Sequence, residues 1–126
     1  MNRTSKSQRV ALVGASDDAE KYSYKAFVLL RKKGHEVFPV HPKLKSIDGV
    51  PVYRSIEEVS GPVDTVSLYV SKDISSKIGQ ALLKSSPKRI IFNPGAENDE
   101  LFEQAACSGI AAVNACTLVL LKTGQF

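Results

Sequence analysis

The sequence predicts a three-layer α/β sandwich around a mostly parallel, doubly wound sheet. Three observations predict it. Short apolar runs such as Arg9–Val13 and Arg89–Phe92 have the form of strands buried on both faces. Stretches of helical period alternate with them from end to end. The connections are long enough for right-handed crossovers, and alternation of that kind is Rossmann-like. The length of 126 residues, with 43% apolar and 24% charged, suits a single globular domain that buries a core without staples. Residues 9–126 are expected to form that domain and residues 1–8 a flexible tail.

The elements follow in order. Arg9–Val13 ends at Gly14 as the first strand. Tyr22 to Lys33 carries Tyr24, Phe27, Val28 and Leu30 among basic residues and stops at Gly34, so it reads as a helix with a C-terminal glycine. Glu36–Val40 is the second strand, broken by His41-Pro42, and Val50 to Tyr53 is a possible edge strand. Pro39 and Pro51 are awkward in a central strand, because proline donates nothing to the ladder. Ser55 to Val59 reads as a short helical stretch capped by Ser55, with Glu57 and Glu58 in its first turn. Val63 to Val70 is the third strand. A helix capped by Ser71 or Ser75 follows, its stripe formed by Ile74, Ile78, Ala81 and Leu82. Arg89–Phe92 is a buried strand ended by Asn93-Pro94-Gly95. The remainder gives a helix from Glu97 or Asn98 to Cys107, a strand at Ile110 to Val113 and a last helix at Thr117 to Lys122.

Several function classes are set aside at this level. No window reaches the ~18 uninterrupted apolar residues of a membrane span, and the polar start lacks the apolar stretch of a secretory signal, so a cytoplasmic location is expected. Cys107 and Cys116 have neither CxxC spacing nor the density of a secreted framework, and are expected as reduced, inert thiols. Asp17, Asp18 and Glu20 are expected as exposed acids near the first helix rather than metal ligands. The net charge of +4 favours an anionic partner, yet the lysines are dispersed without interleaved aromatics, which argues against nucleic acid. His35, in Gly34-His35-Glu36, reads as a solvated turn residue. No catalytic set is recognised.

In an open α/β sheet the ligand crevice lies beyond the carboxyl ends of the strands, where the winding direction changes. Four loops converge there, beginning at Gly14, His41, Tyr69 and Asn93. Gly14 permits a tight turn, and free amides at the start of the next helix make that turn a seat for phosphate, although Gly14 could equally do no more than turn the chain. A full GxGxxG is absent. The acid that holds a ribose diol at the end of the second strand is absent too. Lys43 and Lys45 follow there instead and suit an additional phosphate.

Five segments together carry a resemblance: Val-Gly-Ala-Ser (13–16), Lys-Tyr-Ser-Tyr (21–24), Gly-His-Glu-Val-Phe-Pro-Val-His-Pro-Lys (34–43), Gly-Val-Pro-Val-Tyr (49–53) and Asn-Pro-Gly-Ala-Glu-Asn (93–98). In register from about Arg9 to Cys116, they resemble the small single-domain CoA-binding proteins. The fold of that family is similar to the CoA-binding domain of the succinyl-CoA synthetase α subunit. The resemblance implies a Rossmann-like domain that holds the ADP portion of CoA in this crevice, and because no catalytic set stands beside it the first expectation is a binding module for CoA or an acyl-CoA rather than an enzyme. Gly14, Ala15 and Ser16 would line the pyrophosphate, with Lys21, Tyr22 and Ser23 adding contacts at the first helix. Val40, His41, Pro42 and Lys43 would flank the adenosine and its 3′-phosphate, His41 standing where the family usually has Asn. Tyr69, Val70 and Ser71 would form the adjoining wall, and Asn93, Pro94 and Gly95 the opposite lip. Apart from the resemblance, a mixed disulfide between Cys116, near the end of the last strand, and the CoA thiol stands only as a minor alternative to the inert thiol. Replacing Gly14 by Val is expected to fill the pyrophosphate seat and leave the fold largely intact. Two other readings stand beside this one: a redox protein using a nicotinamide dinucleotide, and a regulatory subunit or homo-oligomer that senses a nucleotide for a protein partner.

Overall fold

A computed structural model describes residues 7–126. Its main sheet contains β1 (Arg9–Val13), β2 (Glu36–Val40), β5 (Thr65–Leu68), β6 (Arg89–Phe92) and β7 (Ala111–Asn114). They are all parallel and lie in the order β2-β1-β5-β6-β7. The winding direction changes between β1 and β5, which puts the switch point at the carboxyl ends of those two strands. The sandwich expected from the sequence is the one observed.

Period-two alternation along β1 explains the three layers. Ala11 and Val13 face one core with Val66, Leu68, Ile90 and Phe92, beneath α2 (Lys72–Lys84) and α3 (Asp99–Cys107). Val10 and Leu12 face the other core, closed by α1 (Tyr22–Lys32) and α4 (Thr117–Lys122) through Ala26, Phe27, Leu30 and Leu121. A strand buried on both sides needs the continuous apolar run that the sequence shows. Gly34 ends α1 at φ +91°. The amide of Gly34 donates to the Arg31 carbonyl and the amide of His35 to Leu30, a Schellman arrangement that only a residue tolerant of positive φ closes cheaply.

Some elements depart from expectation. Pro39 is awkward only in a central strand, and β2 lies at the margin of the sheet. The stretch expected at Val50–Tyr53 splits. β4 (Val50–Pro51) pairs antiparallel with β3 (Ser46–Ile47), while Tyr53 bridges Val40. The Tyr53 amide donates to Pro39 O and the His41 amide to Tyr53 O, both at 2.9 Å, so the outer side of β2 is covered there. The outer side of β7 has no strand beside it among the described residues. The helical stretch at 55–59 is a single 3-10 turn, Ile56–Glu58, and the Ser55 side chain does not cap it. β5 is shorter than the expected Val63–Val70, and just before it the Asp64 carboxylate accepts the Arg9 amide at 2.8 Å.

His35 is buried at 8% exposure rather than solvated. Its Nδ1 accepts the Gln8 amide at 3.0 Å, and its ring packs on Phe126 with centroids 5.0 Å apart. Burial, with the Arg89 charge nearby, pushes its pKa below the ordinary value. Residues 1–6 of the expected tail lie outside the described residues, whereas Ser7 and Gln8 are hydrogen-bonded to Gly34 and His35. Among the described residues, no helix is long and apolar enough to cross a membrane.

Candidate functional site

A cavity of about 800 Å³ opens at the switch point, between the carboxyl ends of β1 and β5. That volume lies in the usual range for small-molecule sites. Its floor is the turn after β1. Gly14 has φ +91°, and a Cβ built on it would lie 2.9 Å from Val70 Cγ1 and 3.0 Å from the Tyr69 carbonyl carbon. The glycine is therefore needed for the fold itself. Gly14→Val strains the backbone and drives a side chain into β5's exit, so the expectation that this change spares the fold is corrected.

The amides of Gly14 and Ala15 both donate to the Val40 carbonyl, at 3.1 and 3.2 Å. They are not the free donors of the corner. The Ser16 hydroxyl accepts the Asp18 amide at 3.0 Å and shapes the loop into α1. Asp17, Asp18 and Glu20 are exposed, and Asp18 accepts the Glu20 amide at 3.0 Å. The free donors lie one step further on. The N-cap of α1 is Lys21, whose side chain caps nothing, and the first turn contains no acid. The first main-chain bond into the helix is Lys25 to Lys21, at 3.2 Å. The amides of Tyr22, Ser23 and Tyr24 precede it, at the positive end of the helix dipole.

The cavity walls include most of the residues expected there. Gly14, Ala15 and Ser16, Lys21, Tyr22 and Ser23, Val40, His41 and Pro42, and Tyr69, Val70 and Ser71 all line it. Four expected residues do not. Lys43 is exposed outside the lining, its amide turned onto His41 Nδ1 at 3.0 Å, and Leu44 takes the inward place. Pro94 and Gly95 are exposed beyond the opposite rim. Asn93 is wholly buried and holds the fold's centre: its Nδ2 donates to Ser67 Oγ and Leu68 O at 3.1 and 2.9 Å, and its Oδ1 accepts the Thr117 amide at 2.8 Å. Cys116 is half-buried at the N-cap of α4 and also lies outside the lining; Cys107 is exposed, and both thiols are free.

The structure adds a wall that the sequence reading missed. Arg54, Ser55, Ile56 and Glu57 enter from the 3-10 turn, and Ile74, Ile78 and Ala81 enter from α2. The helical stripe Ile74-Ile78-Ala81-Leu82 is recognised in the sequence by its spacing alone, and Ile78 and Ala81 pack partly against the core. Only Leu82 is fully buried, and Ile74 remains 48% exposed over the cavity. Periodicity marks an apolar face without telling a core from a groove. The cavity thus has an apolar side at α2 and two pairs of charged residues, Asp17 with Lys21 and Arg54 with Glu57, on separate walls.

Tyr69 marks the deep end. Its hydroxyl is buried without a hydrogen-bond partner, and burial pushes the phenol up to about 12, with the Cys116 thiol adding to the shift. The hydroxyls of Ser67 and Thr117, 2.7 Å from each other, act in the opposite direction and offset part of that rise. Among the described residues no group of His, Cys, Asp and Glu side chains is arranged to hold a metal ion.

The family to which this arrangement belongs is decided by comparison: a family model described as a CoA binding domain matches residues 8–122. The chain belongs to this CoA-binding family. It is 32% identical over 82 residues to the acetate–CoA ligase (ADP-forming) II subunit alpha of Pyrococcus furiosus, a match that takes in 64% of this chain and 17% of that subunit. The uncharacterized protein YneT of Bacillus subtilis is 26% identical over 98 residues, 78% of this chain and 73% of that protein. A crystal structure of an uncharacterized protein matches with a TM-score of 0.91 at 36% identity, covering 97% of this chain and all (100%) of the other. A dinucleotide-forming acetyl-coenzyme A synthetase from Ca. Korarchaeum cryptofilum, solved with phosphate and ADP, shares the fold at TM-score 0.74 and 23% identity. It covers 86% of this chain and 25% of the synthetase. The chain is thus similar both to proteins of about its own length and to a short part of much longer ligases.

Proposed function

We propose that this chain is a binding module for CoA or an acyl-CoA, which it holds by the ADP portion without itself catalysing a reaction. The observation that carries this is the coincidence, in a member of the CoA-binding family, of the switch-point cavity with the uncapped start of α1. An anion seated there takes the amides that no side chain of the helix takes. In this reading the pyrophosphate lies against Gly14 to Ser16 and the first turn of α1. The adenosine lies between Val40, His41 and Pro42 on one side and the Ile74-Ile78 face on the other. The cavity fits such a group in size, and Lys21 stands at the diphosphate end, with Asp17 and Glu57 also in the lining. The reading also places the protein in the cytoplasm, where a free ligand thiol persists.

Thermal unfolding with CoA, NAD and NADP in parallel tests it. A ligand present at 100 times its dissociation constant stabilises the native state by about 2.7 kcal/mol, which for a chain of this size is on the order of 10 °C. CoA is expected to produce that rise and NAD is not. Stabilisation by NAD alone would assign the cavity to a nicotinamide dinucleotide instead.

A further inference from the structure

We infer that Arg54 binds the phosphate monoester on the ligand's ribose and so sets the preference for a 3′-phosphorylated nucleotide. The inference rests on the CoA-binding reading and names a residue and a role within it. In doubly wound folds the ribose lies beyond the end of the strand next to the glycine turn. An acid there holds a diol, and an arginine nearby accommodates a phosphate in its place. That strand is β2, which ends at Val40. The Val40–Tyr53 bridge fixes the backbone of Tyr53 against β2, and Arg54 is the next residue. Its own amide donates to Glu58 Oε1 at 3.2 Å. The main chain is thus held from both sides at the cavity wall, while the guanidinium makes no hydrogen bond or ion pair among the described residues.

The distribution of cations argues the same way. Lys21 and Arg54 are the basic side chains in the lining, and they come from different walls. Lys21 belongs to the start of α1, where the diphosphate sits in the proposed reading. A second cation at the ribose corner matches a ligand with a second, separate phosphate. The planar guanidinium can meet two oxygens of a monoester at once, which an ammonium cannot do in the same way. Lys43, the sequence's own candidate for this contact, is outside the lining. Glu57 shares the wall with Arg54 and has no cation within ion-pairing distance among the described residues, so the guanidinium is not neutralised by it.

Isothermal titration of CoA and dephospho-CoA into the wild type and three variants, Arg54→Gln, Arg54→Lys and Lys43→Gln, tests the assignment. The wild type is expected to prefer CoA by about 10- to 100-fold. Arg54→Gln should bring the two ligands within about threefold of each other, leaving dephospho-CoA affinity unchanged, and Arg54→Lys should fall between. Lys43→Gln should keep the wild-type ratio. Thermal midpoints without ligand report that each variant folds. A ratio that survives Arg54→Gln, or that Lys43→Gln erases, overturns the inference, as does a wild type that binds both ligands equally well. A wild type that binds neither overturns the CoA-binding reading itself.

Discussion

The starts of α1 and α3 both face the carboxyl end of the sheet, and they are finished in opposite ways. At α3 the Asn98 side chain accepts the Leu101 amide at 3.1 Å, and Asp99 and Glu100 supply negative charge in the first turn. At α1 the N-cap is a lysine, no side chain takes an amide, and the first turn contains no acid. The first pattern satisfies a helix from within. The second leaves the amides to something outside the chain, and it does so where the cavity lies. Within one fold, the difference separates a helix end closed by its own side chains from one left open beside the cavity.

Breaking the internally capped end should have the largest effect. Asn98→Ala removes the cap and also the donors that Nδ2 gives to the hydroxyls of Ser75 and Ser76, at 2.8 and 3.1 Å. A loss of about 2 kcal/mol in urea unfolding is expected, with CoA affinity unchanged. Equal losses in stability and affinity would mean that the two helix starts are not independent.

Making α1 resemble α3 should shift stability and binding in opposite directions. Lys21→Asp supplies a capping carboxylate, which should stabilise the free protein by about 0.5 to 1 kcal/mol. The same carboxylate competes with a ligand anion, so CoA affinity should fall about tenfold. Calorimetry on one preparation reads both quantities, and undiminished CoA affinity would remove the ligand's anion from the helix start.

The smallest expected effect comes from the amino end of the sheet, away from the cavity. The folded pKa of His35 is lowered, so the unfolded chain takes up a proton near pH 6.5 while the folded protein does not. Its contribution to stability is whole above 6.5 and is lost as pH falls below that value, with a slope of at most about 1.4 kcal/mol per pH unit. Urea midpoints between pH 7.5 and 5 should fall more for the wild type than for His35→Gln. Parallel slopes would show that the burial of this imidazole has no energetic consequence.

The sequence discloses the sandwich because runs buried on both faces have one composition and helices of one apolar stripe have another. Loops beginning with Gly14 and Tyr69 are legible for the same reason: strand ends are visible, and fold topology brings them together. Three parts are hidden. Ile74 and Ile78 have the spacing of core residues, and only the position of α2 shows them to line a groove. Arg54 reaches the site through a bridge between Val40 and Tyr53, a pairing of residues far apart in the chain that no local pattern encodes. Asn93, in a loop that looks suited to a ligand, spends its whole amide on β5 and α4. Polar side chains in loops look alike on paper whether they hold a ligand or hold the chain.

The two margins of the main sheet differ in what they leave open. On β2, Pro39 lacks a donor and Tyr53 has taken the nearby carbonyl and amide. On β7, the run Ala-Ala-Val-Asn carries no charge and no proline, and its side away from β6 has no strand beside it among the described residues. A sheet that can be extended from one side only cannot propagate. Edge-to-edge association through β7 would stop at a closed pair, because Pro39 and Tyr53 occupy the far margin.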